Sequence, residues 1–155
     1  MIKNNAIRFL EGHKIPHQVF SYSPDIHSAE EGAAALGIPV ALMYKTLVVM
    51  REHGRPLLVV VPGDRELSLK VLSRSLGEKK LRMATQREAE KLTGLQVGGI
   101  SALAVLSKGF EVYLDRKALD QEHIHVSAGQ RGLNVRLSPA DFMAVTGARA
   151  VEATE

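Results

Sequence analysis

The chain contains no cysteine in 155 residues, which removes disulfide bonds, thiolate catalysis and cysteine-ligated zinc together. Tryptophan is missing too, and the aromatic share is only 5%, which offers little for base stacking. No apolar run approaches the roughly 20 residues that cross a bilayer. The start, Met1-Ile2-Lys3-Asn4-Asn5-Ala6-Ile7-Arg8, is interrupted by polar residues too often for a signal-peptide core. A soluble, unprocessed, cytoplasmic protein with no membrane association is expected. Three catalytic signatures are also missing: a glycine-rich phosphate loop ending in Gly-Lys-Ser/Thr, His-Glu-x-x-His, and a Gly-x-Ser-x-Gly elbow.

What is present is ordinary for a globular chain. Hydrophobic residues make up 45% and charged residues 24%, and the length favours one domain, 1–155, around a single core. The net charge of +3 is unevenly spread. Residues 64–87 hold seven Lys/Arg against three Asp/Glu, and the remainder of the chain sums to −1. Arg65, Lys70, Arg74, Lys79, Lys80, Arg82 and Arg87 could form a footprint for a polyanion. The charge count alone favours a solvated helix face.

Cap and period signals place the elements. Asn4 or Asn5 caps a first helix that carries Ile7 and Leu10 and stops at Gly12. His17 to Tyr22 reads as a short strand, and Ser28-Ala29-Glu30-Glu31 opens a helix that ends at Gly37. Lys45 to Met50 and Pro56 to Val61 form a hairpin of buried strands. Leu69, Leu72 and Leu76 lie at helical spacing, and Thr85 to Glu88 is a second capping box after a short strand at Leu81 to Met83. Strands are expected at Ala102 to Leu106, Phe110 to Leu114, Ile124 to Ser127 and Asn134 to Leu137. A helix capped by Ser138 follows, and the tail after Gly147 is expected to fray. Helices and strands mixed without strict alternation argue for α+β, or a mixed sheet curled around a pocket, over a doubly wound fold.

Two anomalies suggest a site. Lys45 is a lone cation at the head of the apolar run Thr46-Leu47-Val48-Val49-Met50. A lysine there snorkels, pairs with an acid such as Asp64 or Glu66, or meets an anionic ligand. Gly98-Gly99, within Val97-Gly98-Gly99-Ile100-Ser101, leaves the backbone open to close approach, or forms a plain turn. The six histidines show no metal-ligand spacing. His123 and His125 would share a strand face with no third ligand nearby, and they read as surface or rim residues. No metal and no cofactor are expected.

Four segments in one order, Lys45-Thr46-Leu47-Val48, Val59-Val60-Val61-Pro62-Gly63-Asp64, Gly98-Gly99-Ile100-Ser101 and Val126-Ser127-Ala128-Gly129-Gln130-Arg131-Gly132-Leu133, resemble the YbaK/EbsC family. These are the editing domains associated with prolyl-tRNA synthetase and their free-standing relatives, and the similarity runs from about Phe20 to Gly147. The resemblance implies a single α+β domain with a mixed, curled, barrel-like sheet flanked by helices. It also implies an aminoacyl-tRNA deacylase, of which the Cys-tRNA(Pro) deacylases are the nearest subgroup, with aminoacyl-tRNA and prolyl-tRNA synthetase as partners. Whether the ester is cleaved as by a hydrolase or a lyase is left open.

On that resemblance Lys45, Gly98, Gly99 and Ser127 are the catalytic candidates, and Tyr22, Ile100, Ser101, Gly129 and Asn134 line the substrate site. Lys79, Lys80 and Arg82 would meet the tRNA. No synthetase catalytic segment is attached, so a free-standing protein is expected. Two departures bear on activity: the family's Gly-Gly-Ile-Ser-Pro-Leu-Gly loop has Ala102 and Ala104 here, and Asn134 stands where the subgroup more often has aspartate. They keep a second hypothesis in view, a catalytically weak tRNA- or nucleotide-binding module. A small-molecule hydrolase is the third.

Overall fold

Each helix begins where a short polar side chain can take the place of a missing carbonyl. The computed structural model describes residues 4–26 and 28–155. Its α-helices are α1 (Asn5–Gly12), α2 (Ala29–Leu36), α3 (Leu69–Leu76), α4 (Gln86–Thr93) and α5 (Pro139–Thr146). Asn4, Ser28, Ser68, Thr85 and Ser138 cap them, each accepting a backbone N–H three residues on. Such a cap contributes about 1 kcal/mol. Helices this short do not persist alone in water, so burial of Ile7 and Leu10 in α1, Leu72 in α3 and Phe142 in α5 holds them in place.

The strands are β1 (Gln18–Ser21), β2 (Tyr44–Met50), β3 (Leu57–Pro62), β4 (Arg82–Met83), β5 (Glu111–Asp115), β6 (Ile124–Gln130), β7 (Leu133–Leu137) and β8 (Arg149–Val151). They form two sheets rather than the one sheet expected: β1-β7-β6 and β4-β2-β3-β5-β8. The first is antiparallel. The second is mixed, antiparallel where β2 meets β3 and β4, and parallel from β3 to β5 and from β5 to β8. A parallel bridge between Met43 and His125 links the two sheets.

β3 shows why its sequence is continuously apolar. Leu58 and Val60 enter a core shared with Ile7, Ile124, Val126, Val135 and Phe142. Leu57, Val59 and Val61 enter a second core with Val49, Leu72, Tyr113 and Val151 on the opposite face. A strand buried on both sides has no solvent face to make polar.

Two expectations are corrected. Residues 102–105 are turns followed by a 3₁₀ turn, Leu106–Lys108, and not a strand. Ser101 Oγ accepts from the N–H groups of Leu103 (3.1 Å) and Ala104 (3.3 Å), closing a turn that seats Ala102, Leu103 and Val105 in the core without a ladder. The tail is not frayed. β8 pairs with β5, and the fully buried Asp115 carboxylate accepts from Ala153 N–H (3.2 Å) and the Thr154 hydroxyl (2.9 Å).

Candidate active site

A cavity of about 490 Å³ opens along the edge of β2, between the loop after α4 and the β6–β7 pair. β4 is short and covers only the far end of that edge, pairing at Val49 and Met50. The Val48 carbonyl accepts from Ala84 N–H, so it points away from β3. Backbone groups two residues apart on a strand point the same way. Thr46 therefore turns its N–H and C=O toward the side where β4 no longer reaches, and Thr46 lines the cavity.

Lys45 lies next to it on β2, opposite Val61. Its side chain is 27% exposed, and its Nζ lies 3.8 Å from Glu66 Oε1, on a carboxylate side chain that is 97% exposed. A pair with so exposed a partner contributes about 0–1 kcal/mol. Glu66 is thus a solvated neighbour that an incoming anion can displace, and not an internal acid that neutralises the amine.

The opposite wall comes from cross-strand pairing. Ser127 on β6 faces Asn134 on β7, which in turn faces Phe20 on β1. Directly paired residues share a face, while Val126 and Val135 turn to the core. Asn134 is buried; its Oδ1 accepts from His125 Nδ1–H at 3.3 Å and its Nδ2 donates toward Met43 Sδ at 3.5 Å. Tyr22 joins this group: burial pushes its hydroxyl above the usual phenol range, against a smaller opposite effect of its hydrogen bond with Asn134. It is a neutral donor at physiological pH.

His125 is the correction here. It is buried, 3% exposed, and tilted against Phe20 rather than lying at the surface or rim. Burial lowers its pKa, with smaller lowering from Arg136 and His123 and a partial offset from Asn134. The imidazole is therefore neutral near pH 7, which lets Nδ1–H donate while holding the Asn134 amide in one orientation.

The glycine loop supplies the third side. Gly98, with φ +94°, and Ile100 line the cavity. Gly99, Ser101 and Gly129 do not. The Gly99 N–H donates to the Gln96 carbonyl (2.8 Å), and a Cβ at Gly99 would lie 2.8 Å from both Arg131 N and Gln130 C. Its lack of a side chain thus serves a backbone-on-backbone contact with the β6–β7 turn. Ser101 is used up in the turn described above. Gly129, with φ +104°, donates its N–H to Ser127 Oγ (3.2 Å) at a bulge in β6 and packs on the Ala104 methyl. The two cavity-lining candidates on β6 and in the loop are thereby positioned by neighbours that stay outside.

Lys79, Lys80 and Arg82 lie outside the cavity lining. Lys80 pairs with Glu52 (3.1 Å), and Arg82 grips Glu88 through two contacts of 2.8 Å. That grip, followed by the Thr85 backbone bond, holds the Glu88 carboxyl down to about 2. Sequence reasoning missed Met43, Met83, Val97 and Glu30 as lining residues. Met83 and Val97 are also exposed, at 40% and 36%, and an apolar residue in a short edge strand or loop carries no periodic signal. Among the described residues no group of three or more His, Asp or Glu is placed to hold a metal ion, and no helix is long and apolar enough to cross a membrane.

Two sheets around an edge-strand cavity, with a lysine on one wall and a glycine loop on another, agree with the sequence comparisons: the chain belongs to the aminoacyl-tRNA editing domain family, whose model matches residues 23–145. An Enterococcus faecalis protein described as a candidate Cys-tRNA(Pro)/Cys-tRNA(Cys) deacylase, EbsC, is 38% identical over 154 residues, covering 98% of this chain and 93% of that protein. A proline–tRNA ligase of Nitratidesulfovibrio vulgaris is 40% identical over 76 residues, and the match spans 49% of this chain and 13% of the ligase. Among solved structures, a candidate trans-editing enzyme for prolyl-tRNA synthetase superposes with a TM-score of 0.83 at 28% identity, covering 100% of this chain and 99% of the other.

Proposed function

We propose that this chain is a trans-editing aminoacyl-tRNA deacylase that cleaves the ester joining a wrong amino acid to tRNA, with a Cys-tRNA(Pro)-like substrate. The supporting observation is convergence: Lys45, Gly98, Ser127, Tyr22 and Asn134 come from separate parts of the chain and line one cavity. Lys45 binds the phosphate of the terminal adenosine or positions the ester, a charge-assisted contact worth about 1.5–3 kcal/mol. Gly98 offers backbone to the aminoacyl carbonyl. The neutral Tyr22 hydroxyl, the Asn134 amide and Ser127 face the ribose and the amino acid. The unpaired Thr46 edge can take the substrate's amino group or carbonyl.

An ester needs less machinery than an amide, because the ribose oxygen is a fair leaving group. Water or a neighbouring group of the substrate attacks the carbonyl carbon, and the ribose oxygen leaves and takes a proton. Placement and stabilisation of the developing charge then supply the rate. No cysteine or histidine lines the described cavity, and this route requires none.

The two sheets, joined at Met43 and His125, act as one curled wall, and the chain works as one editing unit with its core at about 20–147. Lys79, Lys80 and Arg82 face the acceptor stem, with Arg82 leaving Glu88 for phosphate. Prolyl-tRNA synthetase is the natural partner for such a substrate, and the cytoplasm its place of work. The loop turn closed by the Ser101 hydroxyl, which holds Ala102 where the family pattern has proline, supports the deacylase over the binding-module alternative.

A deacylation assay on a panel of mischarged tRNAs, run with wild type and Lys45→Ala, tests the reading. Wild-type cleavage that falls about 10- to 150-fold in the variant is expected from the lost contact. Tight tRNA binding without turnover by the wild type would instead establish a binding module.

A further inference from the structure

The glycine loop that reaches the cavity has to be held there by something other than its own side chains. Gly98 and Gly99 have none, and Gly98 adopts φ +94°, a conformation that glycine enters and leaves freely. The residue before them is held on both of its backbone groups. Val97 N–H donates to Glu90 Oε2 at 2.9 Å, from the last turn of α4, and Val97 C=O accepts from Arg131 Nε–H at 2.8 Å, from the β6–β7 turn. Each is a bond between an ionised side chain and a neutral peptide group, about twice as strong as a neutral one. Neither Glu90 nor Arg131 lines the cavity.

The peptide plane makes this more than a tether. Val97 C=O and Gly98 N–H belong to the same planar trans unit, in which the two point in opposite directions. A carbonyl fixed on the Arg131 guanidinium therefore fixes the direction of Gly98 N–H away from the β6–β7 turn. A cation on the carbonyl also draws electron density from the amide, which makes its N–H a better donor. The contact of Gly99 with the Gln130–Arg131 backbone seats the loop on the same turn.

We propose that Glu90 and Arg131 are positioning residues that clamp Val97 from both sides, and that Arg131 aims and polarises the Gly98 N–H for the carbonyl oxygen of the substrate ester. The proposal rests on the deacylase reading for its chemistry but not for its geometry, and two measurements separate them. In Arg131→Ala and Glu90→Ala, amide hydrogen exchange of residues 96–99 should speed up at least about tenfold while β2 and β6 are unchanged. In deacylation of a mischarged tRNA, Arg131→Ala should lower kcat by about 10- to 100-fold, less than the roughly 10²–10³ for outright loss of one aimed donor because the Gly98 N–H stays present but unaimed, with KM moved less than about threefold. Arg131→Lys, which keeps a cationic donor, should recover part of kcat, and Glu90→Gln, which keeps an acceptor, most of it. Unchanged exchange in Arg131→Ala overturns the clamp whatever the activity. Faster exchange with unchanged kcat overturns its role in the reaction. A wild type that cleaves no charged tRNA sinks the deacylase reading and the catalytic half of the proposal with it, while exchange still decides the clamp.

Discussion

Lys45 and His125 are both polar residues at the junction of the two sheets, yet only one of them was conspicuous beforehand. A lysine at the head of an apolar run is anomalous in any fold, and the structure leaves it with a fully solvated partner, Glu66. A histidine on an alternating strand faces one side or the other, and which side is buried depends on β7 and on the bridge to Met43, pairings remote in sequence. The buried ring has a measurable consequence. Its pKa is lowered in the folded state, so the unfolded chain binds its proton first as pH falls below the ordinary histidine value of about 6.5. Stability from this residue is fully present above that pH and is lost as pH falls through the lower folded value. Urea unfolding between pH 7.5 and 5 should show a loss of at most about 1.4 kcal/mol per pH unit from this group, absent in His125→Gln. Equal slopes in the two proteins would place the ring in solvent.

At the scale of elements, what was legible was local. Asn4, Ser28, Thr85 and Ser138 each announce a helix within four residues, and the β2–β3 hairpin follows from apolar runs around a polar turn. The segment 102–106 misled because a buried apolar run has the same composition whether it is a strand or a turn; the hydroxyl of Ser101 decides it. The tail misled for the opposite reason. Nothing near residue 150 shows that Asp115, 39 positions before Thr154, is buried and awaits its hydroxyl. Deleting residues 149–155 removes Val151 and Ala153 from the second core and strips the carboxylate of both donors to its Oδ2, leaving the Lys117 N–H on Oδ1. A loss of about 3–5 kcal/mol in urea unfolding is expected from the lost burial and the carboxylate oxygen left without its two donors. A change within experimental error would mean the tail is dispensable.

For the whole molecule, the basic excess between residues 64 and 87 was visible in the sequence, but its availability was not. Arg82 is committed to Glu88 and Lys80 to Glu52, whereas the net charge of the segment counts them as free. If this surface meets the acceptor stem, Lys79→Ala/Lys80→Ala should weaken tRNA binding and reduce the slope of log K against log salt by about 1–2. Cleavage of a minimal aminoacyl-adenosine should be untouched in the same variant. An unchanged salt slope would move the tRNA surface elsewhere.

The cavity itself brings together separate parts of the chain between Tyr22 and Asn134, an assembly that no local pattern predicts; the ordered resemblance of four segments pointed to Tyr22, Lys45, Gly98, Ile100, Ser127 and Asn134 among its lining, but also to Gly99, Ser101 and Gly129 outside it. Deacylation as proposed turns on Lys45 receiving the 5′-phosphate of the terminal adenosine of an aminoacylated nucleic acid beside the Gly98 loop. The most direct test is a titration with a non-cleavable 3′-amide analogue of aminoacyl-adenosine 5′-phosphate, followed by backbone amide shifts. Shifts centred on Thr46, Gly98 and Ser127, with affinity reduced about 10- to 150-fold in Lys45→Ala, are predicted from loss of one charge-assisted contact. Binding that is indifferent to Lys45, or shifts confined to residues outside the cavity, would contradict it.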